Sequence, residues 1–313
     1  MLNFTIRIAV LGICSIVGLA ASQAQDLGPT LQKIKNAGAI TLGYRESAIP
    51  MSYLDGEQKP VGFSLDLCGL VADKVKQTLG LADLKINYQA VTADNRATLI
   101  QDGSVDIECA PTPNTPEMQK RAAFSIPIYM SELRWIVPRK LRVETEGRRR
   151  RAEYRTPSST DDLKGKTIAL TQGSAATPLV LTISSDRSLG LSILQGKDYA
   201  ESFKLVESGK ASAFLGDDVL LVGLKANAKN PDAFGFLDDG YPGTSYALMI
   251  RKEDKPFKDL VDGVIKGSMS SGEFGKIYSK WFQSPIPPKN VNLDYPMPEK
   301  LKQLINNTSG APN

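Results

Sequence analysis

Gly43–Tyr53 reads GYRESAIPMSY, and the placement of this stretch organises the reading of the whole chain. The residues before it, Ala39 to Leu42, alternate as a short strand. That strand delivers Arg45 onto a loop that Pro50 keeps out of helix. An arginine at the carboxyl end of an α/β strand stands where open sheets bind ligands. Taken alone, Arg45 is also readable as a surface arginine beside Glu46. What the chain places at its other strand ends decides between the two.

Downstream, Phe63 to Gly80 carries Cys68, Val71, Val75 and Leu79 as an apolar stripe at helical spacing, with Gly80 as the stop. Leu84–Val91 alternates as a strand, Thr92 to Arg96 opens a helix running to Gly103, and Ser104–Ala110 is the next strand. Ala123–Met130 then leads into a short strand at Arg134–Pro138. This β-α-β-α-β order predicts an α/β protein with a mostly parallel, helix-covered sheet. A second alternation follows the same plan. It has strands at Thr167–Thr171, Ser192–Leu194 and Ala211–Leu215, with helices over residues 179–183 and 198–208. Tyr246–Ile250 is one more strand, and Phe257–Phe282 carries two amphipathic helices before a Pro-rich, extended tail. A faint internal echo, Leu99 to Val105 against Leu205 to Ala211, agrees with two similar lobes. Between the alternations, Leu141 to Thr160 contains EGRRRRAEYRTPSST, which reads as a solvated loop. No aromatic interleaving points to nucleic acid, and none is expected as a partner.

At 313 residues the chain exceeds one typical domain, and 42% apolar content is enough for real cores. The formal charge of +4 is small for this length. Histidine is absent, which excludes Ser-His-Asp and Cys-His nucleophile arrangements and histidine-liganded metal sites. The N-terminus has a basic start, an apolar run from Ile8 to Ala21 and a small-residue site at Ser22-Gln23-Ala24, so residues 1–24 read as a secretory signal peptide. Its run of about fourteen apolar residues is too short to span a bilayer. Cys14 would leave with that segment, and the mature chain is expected to be exported. Cys68 and Cys109 then remain, a disulfide candidate in an oxidising compartment, with two buried free thiols as the alternative.

The polar residues at or beyond the expected strand ends are Arg45, Arg96, Ser174 and Asp217. Two guanidiniums can clamp a carboxylate with paired hydrogen bonds. Gln172-Gly173-Ser174 offers N–H groups and a hydroxyl at a helix start, which suits an anion. Asp217 suits an ammonium, and the alternative is that Asp217 or Asp218 caps the next helix. Such a cleft would hold a small zwitterion or acid between closing lobes.

These residues carry a resemblance. GYRESAIPMSY, GFSLDLC, VTADNR, DGSVDIEC, DLKGK, ESFKLVESG, AFLGDD and KWFQSPIPPKN together resemble the periplasmic glutamate/aspartate-binding proteins of polar amino-acid ABC importers, from about Leu31 to Asn292. The resemblance implies a type II periplasmic binding protein fold, two Rossmann-like lobes joined by two crossover strands. Lobe one would hold residues 25–130 plus 241–313 and lobe two residues 131–240. It implies that Arg45 and Arg96 hold the ligand's side-chain carboxylate, that Asp217 receives the α-ammonium, and that Ser174 contacts the α-carboxylate. Thr112 and Tyr199 fall at ligand-side positions, Tyr199 where the family has a His. Cys68 matches a Cys that in part of the family pairs with the Cys109 position. It further implies a small amino acid or carboxylate as ligand, an inner-membrane ABC permease as partner, a periplasmic location, no cofactor or metal, no catalytic residues, and a monomer.

The departures are concentrated. Where the family has a Ser-Thr-Thr type segment, this chain has Pro111-Thr112-Pro113, and proline has no N–H. The family's α-carboxylate arginine is replaced by Met118, and Ala93 stands where a Ser would help Arg96. Arg121 is close to Met118, but a three-residue shift rotates it off the helix face or lengthens the loop. Two readings follow: Arg121 or Ser174 compensates and the ligand is glutamate or aspartate, or the ligand lacks the α-amino-acid head. An enzyme related to the dehydratases of this fold is the further alternative, with Glu46, Glu108 and Asp217 as the candidate acid or base; a ligand-sensing partner of a membrane receptor is another.

Overall fold

The computed structural model describes residues 26–146, 149–174 and 176–309. Residues 1–24, read above as a signal peptide, and Arg148 of the arginine run lie outside them. Helix α1 (Gly28–Ala37) leads into β1 (Ala39–Tyr44), followed by α2 (Phe63–Leu79), β2 (Lys85–Ala90), α3 (Arg96–Gln101), β3 (Ile107–Glu108) and β4 (Ala123–Phe124). The chain then crosses to a second sheet through β5 (Tyr129–Pro138). There it builds β6 (Thr167–Thr171), α4 (Ala176–Asp186), β7 (Ser192–Gly196), α5 (Tyr199–Glu207), β8 (Ala213–Asp217), α6 (Asp218–Asn227) and β9 (Phe234–Tyr246). It returns through β10 (Met249–Ile250) to α7 (Lys255–Ser271), α8 (Glu273–Phe282) and α9 (Glu299–Ser309).

The first sheet runs β2-β1-β3-β10-β4 and the second β7-β6-β8-β5-β9. In each sheet the first three strands are parallel, and the fourth is antiparallel to both its neighbours. That fourth strand is the one arriving from the other sheet: β5 in the second, β10 in the first. The two sheets therefore share one topology, and the chain passes between them twice. At the crossing Tyr129 pairs with Tyr246, and their rings stack with centroids 5.8 Å apart.

Helix α2 buries Phe63, Leu67, Val71 and Val75 against the first sheet. Phe63 meets Phe274, Tyr278 and Phe282 of α8 edge to face, an arrangement favoured by the ring quadrupoles. Cys68 of α2 is bonded to Cys109, which follows β3, with the two Cα atoms 6.1 Å apart. The open alternative for these thiols closes in favour of the bridge. Among the described residues no helix is long and apolar enough to cross a membrane.

Two segments differ from the sequence expectation. The stretch read as a solvated loop contains an antiparallel hairpin, Lys140–Glu146 with Arg149–Arg155. Its register runs from Lys140 opposite Arg155 to Glu146 opposite Arg149. Strand β9 was not expected over residues 234–245. It lies at a sheet edge and is irregular between Phe236 and Gly240 and again between Pro242 and Ser245. An edge with bulges tolerates the glycines and the proline that read as turns.

The C-terminal tail reaches back over the second lobe. The Tyr295 hydroxyl donates to Asp218 Oδ2 at 2.6 Å, and Lys289 Nζ donates to the Asn227 and Ala228 carbonyls at 2.5 and 3.0 Å. Lys300 Nζ donates to Glu132 Oε1 at 2.7 Å. Burial raises the Asp218 pKa above the ordinary aspartate value, while the hydrogen bond from Tyr295 pulls it down. Tyr295→Phe is expected to cost about 1–3 kcal/mol by leaving that carboxylate short of a donor. A carboxyl with a raised folded-state pKa is disfavoured in its charged form by folding. The penalty should therefore be full above that pKa and shrink as the pH falls and the group takes up a proton. Urea denaturation at neutral and acidic pH checks both the size and the trend.

Candidate functional site

A cleft of about 290 Å³ opens between the two sheets, lined from one side by Arg45, Arg96, Pro111 and Pro113 and from the other by Gln172, Ser174, Tyr199 and Asp217. Most of the polar lining groups stand at or beyond the carboxyl end of a parallel strand, and Thr244 comes from the antiparallel β9. Arg45 follows β1, Arg96 opens α3 after β2, Gln172 to Ser174 follow β6, Tyr199 opens α5 after β7, and Asp217 ends β8. This is where open α/β sheets bind ligands, because strand ends and helix starts converge there. The lobes meet beside it. A Cβ built on Gly173 would lie 2.7 Å from Asp94 Oδ1, and Gly173 has φ +69°, so glycine serves both the turn and the close approach.

Arg45 and Arg96 are 6% and 7% exposed, so two guanidiniums share one nearly dry wall. Burial lowers the Arg45 pKa, and the Arg96 charge lowers it further. Arg96 is held from behind. Its Nη1 donates to Thr112 Oγ1 at 3.0 Å, and Thr112 Oγ1 donates to Glu108 Oε2 at 2.5 Å. Glu108 is fully buried, with Oε1 4.0 Å from Arg96 Nη1. Arg96 Nε is buried without a hydrogen-bond partner. An anion brought to this wall would meet a donor already desolvated and oriented, which is what makes charge-assisted hydrogen bonds strong.

Across the cleft, Asp217 accepts from Ser131 Oγ at 2.7 Å and from the Tyr199 hydroxyl at 2.8 Å. Burial, with the Asp217 charge beside it, drives the Tyr199 pKa well up and keeps the phenol protonated as a donor. A carboxylate accepts up to about four hydrogen bonds, so Asp217 retains capacity for a cation. Ser174 lines the cleft, and its Oγ accepts from the Ala176 N–H at 3.2 Å, near the start of α4.

The structure thus brings Arg45, Arg96, Ser174, Tyr199 and Asp217 to one cleft, and sets Thr112 apart. Thr112 is fully buried behind Arg96, and its hydroxyl both accepts from that arginine and donates to Glu108. It positions the clamp rather than facing the cleft. Of the proposed caps, Asp217 precedes α6 without a side-chain cap bond, which frees its oxygens for the cleft. The sequence reading missed Ser131, on the crossover strand far from Asp217 in the chain, and did not connect Glu108 with the clamp. Alternation alone carries no signal for Ser131. Glu108 at the end of a buried strand did offer one, since a carboxylate there needs a partner.

The comparisons with known proteins agree with this geometry. A model of the bacterial extracellular solute-binding proteins, family 3, matches residues 40–284. The chain is 42% identical over 285 residues to a Pseudomonas aeruginosa protein named L-glutamate/L-aspartate-binding protein, covering 90% of this chain and 89% of that one. It is 36% identical over 311 residues to the glutamate/aspartate import solute-binding protein of Salmonella typhimurium, covering 99% and 97%. Among solved structures, the solute receptor for L-cysteine of Neisseria gonorrhoeae superposes with a TM-score of 0.65 at 22% identity, covering 87% of this chain and all of that one. An ancestral arginine-binding protein bound to glutamine gives 0.64 at 24%, covering 78% and 98%. These structural likenesses establish the type II periplasmic binding protein fold, as the resemblance implied. The chain belongs to the bacterial extracellular solute-binding proteins, family 3.

Proposed function

We propose that this protein is the periplasmic substrate-binding component of an amino-acid ABC importer. It takes glutamate, aspartate or a related small carboxylate between two closing lobes and delivers it to an inner-membrane permease. The carrying observation is the convergence of Arg45 and Arg96, both nearly buried, on one wall of the inter-lobe cleft, with Asp217 on the other. The lobes that move are residues 25–130 with 241–313 and residues 131–240, joined by β5 and by the β9–β10 return. In this reading Arg45 and Arg96 hold a carboxylate, Asp217 accepts an ammonium with Tyr199 and Ser131 fixing its orientation, and Ser174 offers a hydroxyl. Thr112 contributes by holding Arg96.

The protein binds and releases rather than catalyses. Glu108 is engaged by Thr112, Asp217 accepts from two hydroxyls, and Glu46 is not among the residues lining the cleft. Calorimetric titration of unfolded, refolded and ligand-stripped protein against small amino acids should give saturable one-site binding, with the ligand recovered unchanged by NMR. Absence of binding across the panel, or recovery of a dehydrated product, overturns the reading.

A further inference from the structure

The charges lining the cleft pair off in a particular way. Arg45 and Arg96 bring two positive charges, and Glu108, buried behind them and 4.0 Å from Arg96, offsets one. The opposite wall brings one negative charge, Asp217. The rest of the lining includes Ala93, Pro111, Pro113, Leu133, Leu179 and Pro242, which carry no charge and no side-chain donor. Among the described residues no third cation lines the cleft. Arg121 turns away and donates from Nη2 to Thr98 Oγ1 at 3.1 Å. Met118 packs against an apolar cluster that includes Val91, Ala97 and Ile100. Backbone donors are scarce on the same wall. Pro111 and Pro113 have none, and the Thr112 N–H between them is taken by the Ala110 carbonyl at 2.8 Å.

One net positive charge on one wall and one negative charge on the other match a ligand with one carboxylate and one ammonium. A second carboxylate would find only the neutral donors of Gln172, Gly173, Ser174 and Thr244 beside proline and leucine, and no counter-ion. A charge taken out of water without a partner is among the most costly things a binding site can hold. We propose that the cleft selects a zwitterion bearing a single carboxylate and an apolar body, and discriminates against dicarboxylic amino acids. This selection rests on the amino-acid-binding reading given above and, of the ligands named there, favours the related small carboxylates over glutamate and aspartate.

The test compares three ligands by calorimetry on stripped protein. L-glutamate has two carboxylates, 4-aminobutyrate is glutamate without the α-carboxylate, and L-2-aminobutyrate is glutamate without the distal one. At least one of the two single-carboxylate acids should bind about 100-fold more tightly than glutamate, the scale of an unpaired charge in a desolvated interface. Which of the two leads reports whether the ammonium sits far from the carboxylate or beside it, and either result supports the proposal. Glutamate binding as tightly as both, or more tightly, overturns it. Arg45→Met separates the two kinds of failure. Tight glutamate binding that this variant abolishes keeps the amino-acid reading and removes the selection, whereas no binding of any of the three by the unaltered protein removes both. Pro113→Thr, which restores an N–H and adds a hydroxyl to the cleft wall, should improve glutamate affinity about tenfold. Unchanged glutamate affinity in that variant counts against the proline wall as the selecting element.

Discussion

Arg45→Met is expected to weaken ligand binding by about 30- to 4000-fold, the equivalent of losing about 2–5 kcal/mol of a desolvated charge contact. Methionine keeps much of the aliphatic stem and fills irregular space, so the change isolates the guanidinium. The stability of the ligand-free protein should move the other way or stay put. Arg45 is nearly buried, and both burial and the Arg96 charge lower its pKa. A basic group whose folded-state pKa is depressed destabilises the folded state, so removing its charge relieves the fold. Arg96→Met should behave differently. Arg96 is tied to Thr112 and faces a fully buried Glu108, so its loss strands that carboxylate and should cost about 3–5 kcal/mol of stability as well as affinity. Thermal unfolding of both variants, with and without ligand, reads the contrast. A ligand-free Arg45→Met protein markedly less stable than the parent would mean that Arg45 is structural, and the clamp would rest on Arg96 alone.

That asymmetry shows what the sequence could and could not convey. Strand ends are legible, because alternation fixes where a strand stops and the next residue is the one offered to a ligand. Arg45 after β1 and Asp217 at the end of β8 followed from that rule. So did the repeated β-α-β units and the two lobes. Partnerships between distant residues were not legible. Nothing near Ser131 announces that its hydroxyl will reach Asp217, and Thr112, placed on the ligand side by the resemblance, is fully buried behind Arg96. Strand β9 escaped because Asp238-Asp239-Gly240 and Pro242-Gly243 are turn chemistry, and only pairing with β5 over an irregular edge makes them a strand. The arginine run has a related history. It was read by composition as a loop, and the hairpin is set by backbone pairing between Lys140–Glu146 and Arg149–Arg155, which composition does not report.

The second large effect is expected at the Cys68–Cys109 bridge, the one long-range partnership that the sequence did suggest. The two cysteines are 41 residues apart, and closing a loop of that length restricts the unfolded chain by about 4 kcal/mol in the chain-entropy account. Both sulfurs are fully buried within the core of the first lobe, beside Val71 and Ile107. Alanine is therefore the better replacement, since serine would add buried hydroxyls with their own cost. The double variant Cys68→Ala/Cys109→Ala should lose about 2–4 kcal/mol in urea denaturation. Thiol reagents should label the parent protein only after it is both unfolded and reduced. The bridge also fixes the site's support. Cys109 directly follows Glu108, the carboxylate on which Thr112 and, through it, Arg96 depend. Loosening that strand end should weaken binding modestly in the double variant, and Arg45→Met added to it should bring a further full loss, because the two changes act on different parts of the clamp. Stability equal to the parent's in the double variant would show that the bridge does not restrict the unfolded chain. Affinity unchanged as well would show that packing around α2 alone holds β3, and with it the buried carboxylate, in place.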